Sequence, residues 1–252
     1  MKSLAFIVPV HRRLRLAQIC LAQLRRTCDD LAEHEIMATA IIVSDRRSLE
    51  VLDPIRLGFA TIDRDNAFTS RRFNDGIQFA TDPRFNDHPF DYVVPCGSDD
   101  WVDYRLFLEP LPDRDTIQGF HWMSFVREDG REICSTYLDY EGGAGIRIIP
   151  RELVRELGYR PADEDRRRGC DTSIIVNLRR ILRQQMKVAH MQTHPYWIVD
   201  WKTPGQQLNT YQNVTRLRRS QVTGDPFSEL ADIYPADALD EMRGHYFAEA
   251  AA

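Results

Sequence analysis

Short apolar runs alternating with one-sided helical stripes fill the first hundred residues, and few folds accommodate that pattern. "SLAFIVPV" (3–10) is a continuous apolar run closed by Pro9, which fits a strand buried on both faces. Leu14, Ala17, Leu21, Leu24, Cys28 and Leu31 follow at alternating spacings of three and four, as in an amphipathic helix with Arg and Gln outside. "IMATAIIVSD" (36–45) is a second buried strand ending in a carboxylate, and "FATID" (59–63) is a shorter third. "SRRFNDGIQFA" (70–80) places Phe73, Ile77 and Ala80 on one helical face, and "FDYVVPCGSDD" (90–100) is the next strand. Strands in alternation with helices predict an α/β fold with a mostly parallel sheet.

The pattern then changes. "TIQGFHWMSFVREDGREICSTYLDY" (116–140) predicts two strands joined by a turn at Glu128-Asp129-Gly130-Arg131. "EGGAG" (141–145) is a loop able to bring backbone close to a ligand. "IRIIPRELVRELG" predicts a strand and then a helix closed by Gly158, and "TSIIVNLRRILRQQ" another helix. "MKVAHMQTHPYWIVDWKT" (186–203) is a last apolar run broken by two histidines. Residues 206–252 are polar and weakly periodic, so they are expected to form a helical or partly disordered extension to a domain spanning 1–205.

Charge and cysteine usage narrow the function. The 252-residue chain carries a formal charge of -5, which argues against a general polyanion binder. All but three of its 33 basic residues are Arg, the side chain suited to carboxylate and phosphate. The five cysteines lie far apart with no CxxC spacing, which favours a reducing compartment over a disulfide frame or zinc site. The basic residues of "HRRLR" follow the first apolar run instead of preceding it, unlike a signal peptide, and no segment approaches about 18 apolar residues. A soluble, cytoplasmic protein is the expectation.

In an open α/β sheet, ligands sit at the C-terminal ends of the strands. Those ends offer Pro9, Val10, His11 and Arg13; Asp45; Arg71, Arg72 and Asn74 on the helix after the third strand; and Ser98, Asp99 and Asp100. Adjacent carboxylates suit a hard divalent cation such as Mg²⁺ or Mn²⁺, which binds oxygen and commonly bridges to phosphates. The arginines suit phosphate oxygens, and Asp45 suits a base edge or ribose hydroxyl. A nucleotide diphosphate with a metal fits this set.

The order "FIVPVHRR … IIVSD … NAFTSRRFNDGIQFA … YVVPCGSDDW … GAGIRIIPRELVRELGY … CDTSIIVNLRRI", over roughly residues 3–203, resembles the GT-A glycosyltransferases, in particular the inverting family-2-like group. The resemblance implies a nucleotide-binding half (1–105) and an acceptor half (106–205) with a small antiparallel acceptor-side sheet. Ser98-Asp99-Asp100 is similar to the D-x-D or x-D-D motif, with Gly97 where many members carry an Asp. Asp100 would then be a metal ligand, and Asp99 a metal or ribose ligand. Pro9, Val10, His11 and Asp45 would hold the base, and Arg71 or Arg72, Asn74 and Gly76 would lie by the diphosphate. Asp171 stands at the catalytic-base position, with Cys170 in place of the usual Glu and Asp163, Glu164 and Asp165 as alternatives. His194 would be a further metal or diphosphate ligand, with Asp200 and Lys202 weaker candidates in the same closing loop. Trp122, Gly143 and Gly145 fall on the acceptor side. The implied activity moves a sugar from a nucleotide sugar, a UDP-sugar first among them, to an acceptor hydroxyl of a glycan, a protein or a modified nucleic acid. Homo-oligomerisation stays open. A nucleotidyltransferase and a nucleic-acid-binding module are the other readings; the first lacks a Gly-rich loop after strand one, and the second a basic stripe.

Overall fold

Strand β1 (Lys2–Pro9) is buried on both faces, and its side chains divide the interior. In the computed structural model, which describes residues 2–65, 68–138, 145–165, 170–182, 186–202, 211–215 and 219–250, Leu4, Phe6 and Val8 pack on one side. There they meet the apolar stripe of helix α1 (Leu14–Glu33), including Ala17, Leu21, Leu24 and Cys28. Ala5 and Ile7 face the opposite way. The period of two in a strand thus meets the three-four spacing of the helix.

Strand β2 (Ile36–Ser44) runs parallel to β1, with Lys2 opposite Ile36 and Pro9 opposite Val43. After helix α2 (Arg46–Leu52), strand β3 (Ala60–Asp63) adds in parallel beside β2. Helix α3 (Thr69–Thr81) returns across the second face, and strand β4 (Tyr92–Pro95) pairs in parallel with the other side of β1. Gly76 lets α3 sit against the sheet, because a Cβ there would lie 2.5 Å from Ile7 Cγ2 and 3.1 Å from Val43 Cγ2. Replacing a helical glycine with alanine normally stabilises by up to about 1 kcal/mol. Here the overpacking dominates, and Gly76→Ala is expected to lower stability by about 1–3 kcal/mol in urea denaturation.

Beyond β4 the chain serves two sheets. Strand β5 (Asp100–Val102) belongs to the second sheet, and β6 (Thr116–Phe120) is followed by β7 (Trp122–Val126) and β8 (Ile133–Tyr137). The short strand β9 (Ile149–Pro150) lies antiparallel on β4 and leads into helix α4 (Arg151–Arg155). Helix α5 (Cys170–Leu182) precedes strands β10 (Lys187–Met191) and β11 (Ile198–Trp201). The first sheet has the order β3-β2-β1-β4-β9. Gln118 and Ile148 exchange both backbone hydrogen bonds, at 2.9 and 3.1 Å, so the parallel pair β6–β10 continues that sheet. The sequence predicts two strands over 116–140, but the structure forms three, because the chain passes from one sheet to the other at His121.

The remaining elements are helix α6 (Tyr211–Thr215), strand β12 (Ser220–Val222) and helices α7 (Pro226–Glu229) and α8 (Ala236–Ala250). The second sheet, β12-β8-β7-β11-β5, is antiparallel except for the parallel pair β7–β11, so it is mixed and larger than expected. Phe227, Leu230, Tyr234, Leu239, Met242 and Tyr246 close a third core with Trp101 and Trp201. The segment read from sequence as an extension therefore contributes a strand and buried helices over its described part. No described helix is long and apolar enough to cross a membrane.

Candidate active site

The chain follows β4 past Pro95, with Cys96 N still donating to Ile7 O at 3.0 Å, then turns and enters β5. In β5, Asp100 stands opposite Asp200 of the antiparallel strand β11. The turn after β4 thus delivers Asp99, and the neighbouring strands β5 and β11 of the second sheet deliver Asp100 and Asp200. One oxygen from each of the three carboxylates lies within 4.8 Å of the others. Each has a distinct partner. Arg13 Nη1 donates to Asp99 Oδ2 at 2.9 Å, Gly97 N donates to Asp100 Oδ2 at 2.7 Å, and the Lys202 ammonium donates to Asp200 Oδ2.

Gly97 has a spatial reason. A Cβ on it would lie 2.6 Å from Asp100 Oδ2 and 2.9 Å from Asp99 Oδ1. The bare backbone lets both carboxylates fold back over the turn, and a side chain at 97 would displace them. Arg12 and Arg13, both with positive φ (61° and 45°), bend the loop after β1 so that the Arg13 side chain reaches Asp99. Non-glycine residues adopt that conformation rarely and at a cost, a strain often found at functional sites.

Two unit charges 4 Å apart repel by about 4 kcal/mol at an effective dielectric of about 20. Loss of water, then the charges of Asp200 and Asp99, raise the Asp100 pKa well above the usual carboxylate range. Burial pushes Asp200 up to about 6, although Lys202 pulls the other way. Burial, with the neighbouring carboxylates, also raises the thiols of Cys20 and Cys96, so they stay protonated. The available donors are therefore all hard oxygens. Asp200 Oδ1 is buried and has no hydrogen-bond partner among the described residues. An orphaned carboxylate oxygen costs free energy unless something binds it. The set fits a divalent cation of the Mg²⁺ or Mn²⁺ type, with Asp99, Asp100 and Asp200 as its holders.

The structure sorts the other sequence candidates. Pro9 and Val10 are buried at the end of β1, where the Val10 carbonyl accepts from Ser44 Oγ at 2.8 Å and Arg72 Nη1 at 2.6 Å. Arg72 is buried and braces this loop from behind. Ser98 is buried in the turn after β4, and His11 is exposed just past the end of β1. Asp45 caps α2, accepting from Ser48 N at 3.0 Å and Ser48 Oγ at 2.8 Å. Arg71 pairs with Asp165 at 2.6 Å. Gly76 answers to helix–sheet packing. His194 is not brought to the carboxylates: it packs against Tyr196 and Trp197, beyond the end of β11 opposite to Asp200. Trp122 packs edge-on against Tyr137 at 5.2 Å, and Gly145 accepts through its carbonyl from Arg147 at 3.4 Å. Gly143 lies outside the described residues, and so does the side chain of Asp171, which stands in the first turn of α5.

Asn74 is buried and clamps the segment ahead of α5. Its amide donates to Ala162 O at 2.8 Å and to Glu164 Oε1 at 3.0 Å, and its carbonyl oxygen accepts from Ala162 N at 2.8 Å. Ser70 Oγ donates to Glu164 O at 2.9 Å, Asp163 N donates to Ser173 Oγ at 3.2 Å, and Asn177 donates to Pro161 O at 2.9 Å. The starts of α3 and α5 therefore meet across this segment. Asp200 is the residue that sequence reasoning underrated. Its signal was a carboxylate inside "IVDW", a run otherwise suited to full burial.

No family model matches the chain, and no curated protein sequence matches it. Among solved structures, the catalytic domain of Drosophila β1,4-galactosyltransferase 7 in complex with xylobiose matches with a TM-score of 0.50 at 14% identity. That match covers 75% of this chain and 65%, just under two thirds, of the Drosophila chain. A mutant of the same enzyme in complex with manganese, UDP-Gal and xylobiose matches with a TM-score of 0.50 at 14% identity, over 86% of this chain and 81% of that one. Glucosyl-3-phosphoglycerate synthase from Mycobacterium tuberculosis, in complex with Mg²⁺ and UDP, matches with a TM-score of 0.50 at 9% identity, over 76% and 69%. Likeness at such low identity speaks to architecture, and together with the parallel sheet, its flanking helices and the second sheet it shows that this chain has the GT-A fold.

Proposed function

We propose that this chain is a metal-dependent, inverting glycosyltransferase that moves a sugar from a nucleotide sugar, a UDP-sugar, to an acceptor hydroxyl. The convergence of Asp99 from the turn after β4 with Asp100 and Asp200 from the paired strands β5 and β11, beside Arg13, carries this reading. The manganese and UDP-Gal of the Drosophila structure and the Mg²⁺ and UDP of the mycobacterial one support it. A divalent cation held by the three carboxylates would supply positive charge to the departing diphosphate. Arg13 fixes the orientation of Asp99, and the braced Val10 loop with Asp45 presents a surface for the base. Asp171 accepts the proton of the acceptor hydroxyl as it attacks the anomeric carbon. Glu164 and Asp165 suit that role less well. Glu164 accepts from Arg160 at 2.8 Å and from Asn74, hydrogen bonds that lower its pKa, and Asp165 is paired with Arg71.

A thermal-shift panel of UDP-, GDP- and TDP-sugars, each with and without Mn²⁺, tests the proposal. UDP-sugars with Mn²⁺ are expected to raise Tm by about 5 °C or more at a hundredfold excess over Kd. No shift with any nucleotide sugar would remove it.

A further inference from the structure

Lys202 is one of three lysines in the chain and lies 4% exposed at the end of β11. A fully buried ammonium is rare unless it is paired. This one is held at both ends. Its backbone N–H donates to Val126 O at 3.3 Å, and its carbonyl accepts from the Tyr246 hydroxyl of α8. Its ammonium donates to Asp200 Oδ2 and lies 5.3 Å from the centroid of the Phe125 ring. Its partner Asp200, with Asp99 and Asp100 beside that carboxylate, surrounds the buried charge with negative charge. No proton-transfer or base-binding role calls for a cation in this place.

We propose, on the basis of the metal reading above, that Lys202 is a built-in counter-cation: with Arg13 on Asp99, it offsets the negative charge of the carboxylate cluster in the metal-free protein and keeps cation binding weak until a nucleotide diphosphate arrives with it. The ammonium occupies Oδ2 of Asp200, and Oδ1 has no partner among the described residues, so a divalent ion bound at that oxygen stands close to an existing positive charge. The repulsion lowers affinity for the free ion. A diphosphate brings negative charge that offsets both cations, so the ion and the nucleotide load together. Coupling of this kind is reciprocal, and each ligand strengthens the other by the same factor.

Isothermal titration with Mn²⁺ alone, UDP alone and the two together tests the device in the wild type, Lys202→Met and Lys202→Arg. Lys202→Met is expected to bind Mn²⁺ alone about tenfold more tightly than the wild type, and the strengthening of Mn²⁺ binding by UDP shrinks by a similar factor. Lys202→Arg keeps the charge and behaves as the wild type. If Lys202→Met folds only with Mn²⁺ present, as circular dichroism in Mn²⁺ against EDTA would reveal, the metal has taken over the counter-ion role and the proposal is supported. Unchanged or weaker Mn²⁺ binding in Lys202→Met, or a variant that stays unfolded with Mn²⁺, overturns it. Wild type that binds Mn²⁺ with UDP while Lys202→Met shows no tightening removes the counter-cation alone. Absence of Mn²⁺ binding in every variant, with or without UDP, removes the metal reading as well.

Discussion

Asp100→Asn is expected to give a protein that is more heat-stable without metal and nearly inert as a transferase. The wild-type carboxylate sits among Asp99 and Asp200 with its pKa well above the usual range, because burial and like charge oppose its ionisation. The amide is almost isosteric and carries no charge. A group whose folded pKa exceeds its unfolded value binds protons more tightly in the native state, so its stabilising contribution is complete at low pH and is lost as pH rises through the folded pKa. For Asp200 that loss begins near the ordinary carboxylate pKa of about 4 and is largely complete at about 6. The metal-free wild type therefore weakens as pH rises from about 4, and the advantage of Asp100→Asn grows as pH rises through the raised pKa of Asp100. Transfer moves the opposite way. Loss of one of three anionic metal holders is expected to lower it by about a thousandfold, equivalent to about 4 kcal/mol of barrier. Melting curves in EDTA from pH 5 to pH 8, set beside turnover with Mn²⁺, check both halves. An equally active variant, or one that melts well below the wild type in EDTA, contradicts the account.

Asp171→Asn separates chemistry from binding. The residue lies in the first turn of α5, apart in sequence from the metal carboxylates. Its loss is expected to lower transfer by about a hundred- to ten-thousandfold while UDP and Mn²⁺ affinities stay within about twofold of the wild type. The surrounding clamp makes this a local change. Asn74, Ser70, Ser173 and Asn177 bind the backbone of 161–164 and leave the segment in place when the acid at 171 is neutralised. Retained turnover in Asp171→Asn together with its loss in Asp163→Asn would move the base to Asp163, which accepts from Asn177 at 2.9 Å.

The first half of the fold was legible because each element there answers to one local rule. The continuous apolar run of β1 requires burial on both faces, and the three-four spacing of α1 requires one apolar side. Ser98-Asp99-Asp100 was visible for the same reason, as charge placed directly after a buried strand. The later half depends on partners distant in sequence. Nothing local in "TIQGFHWMSFV" marks His121 as the point where the chain changes sheets. Helix α8 was faint because Leu239, Met242 and Tyr246 are interleaved with Ala238 and Gly244, and its partners are Trp101 and Trp201. Asn74 was read as a diphosphate contact by resemblance, but its three hydrogen bonds go to a segment some ninety residues later. Pairings of that kind follow from topology, which local periodicity does not encode.

The central claim is that Asp99 of the turn after β4, Asp100 of β5 and Asp200 of β11 form one cation site for a nucleotide diphosphate. Electron paramagnetic resonance of Mn²⁺ measures it directly, because the signal of the free ion falls as the ion binds. With UDP present, the wild type is expected to take up one Mn²⁺ per chain, and Asp200→Asn is expected to bind it at least about tenfold more weakly. Equal uptake and affinity in the two proteins would contradict a site that includes Asp200 of β11.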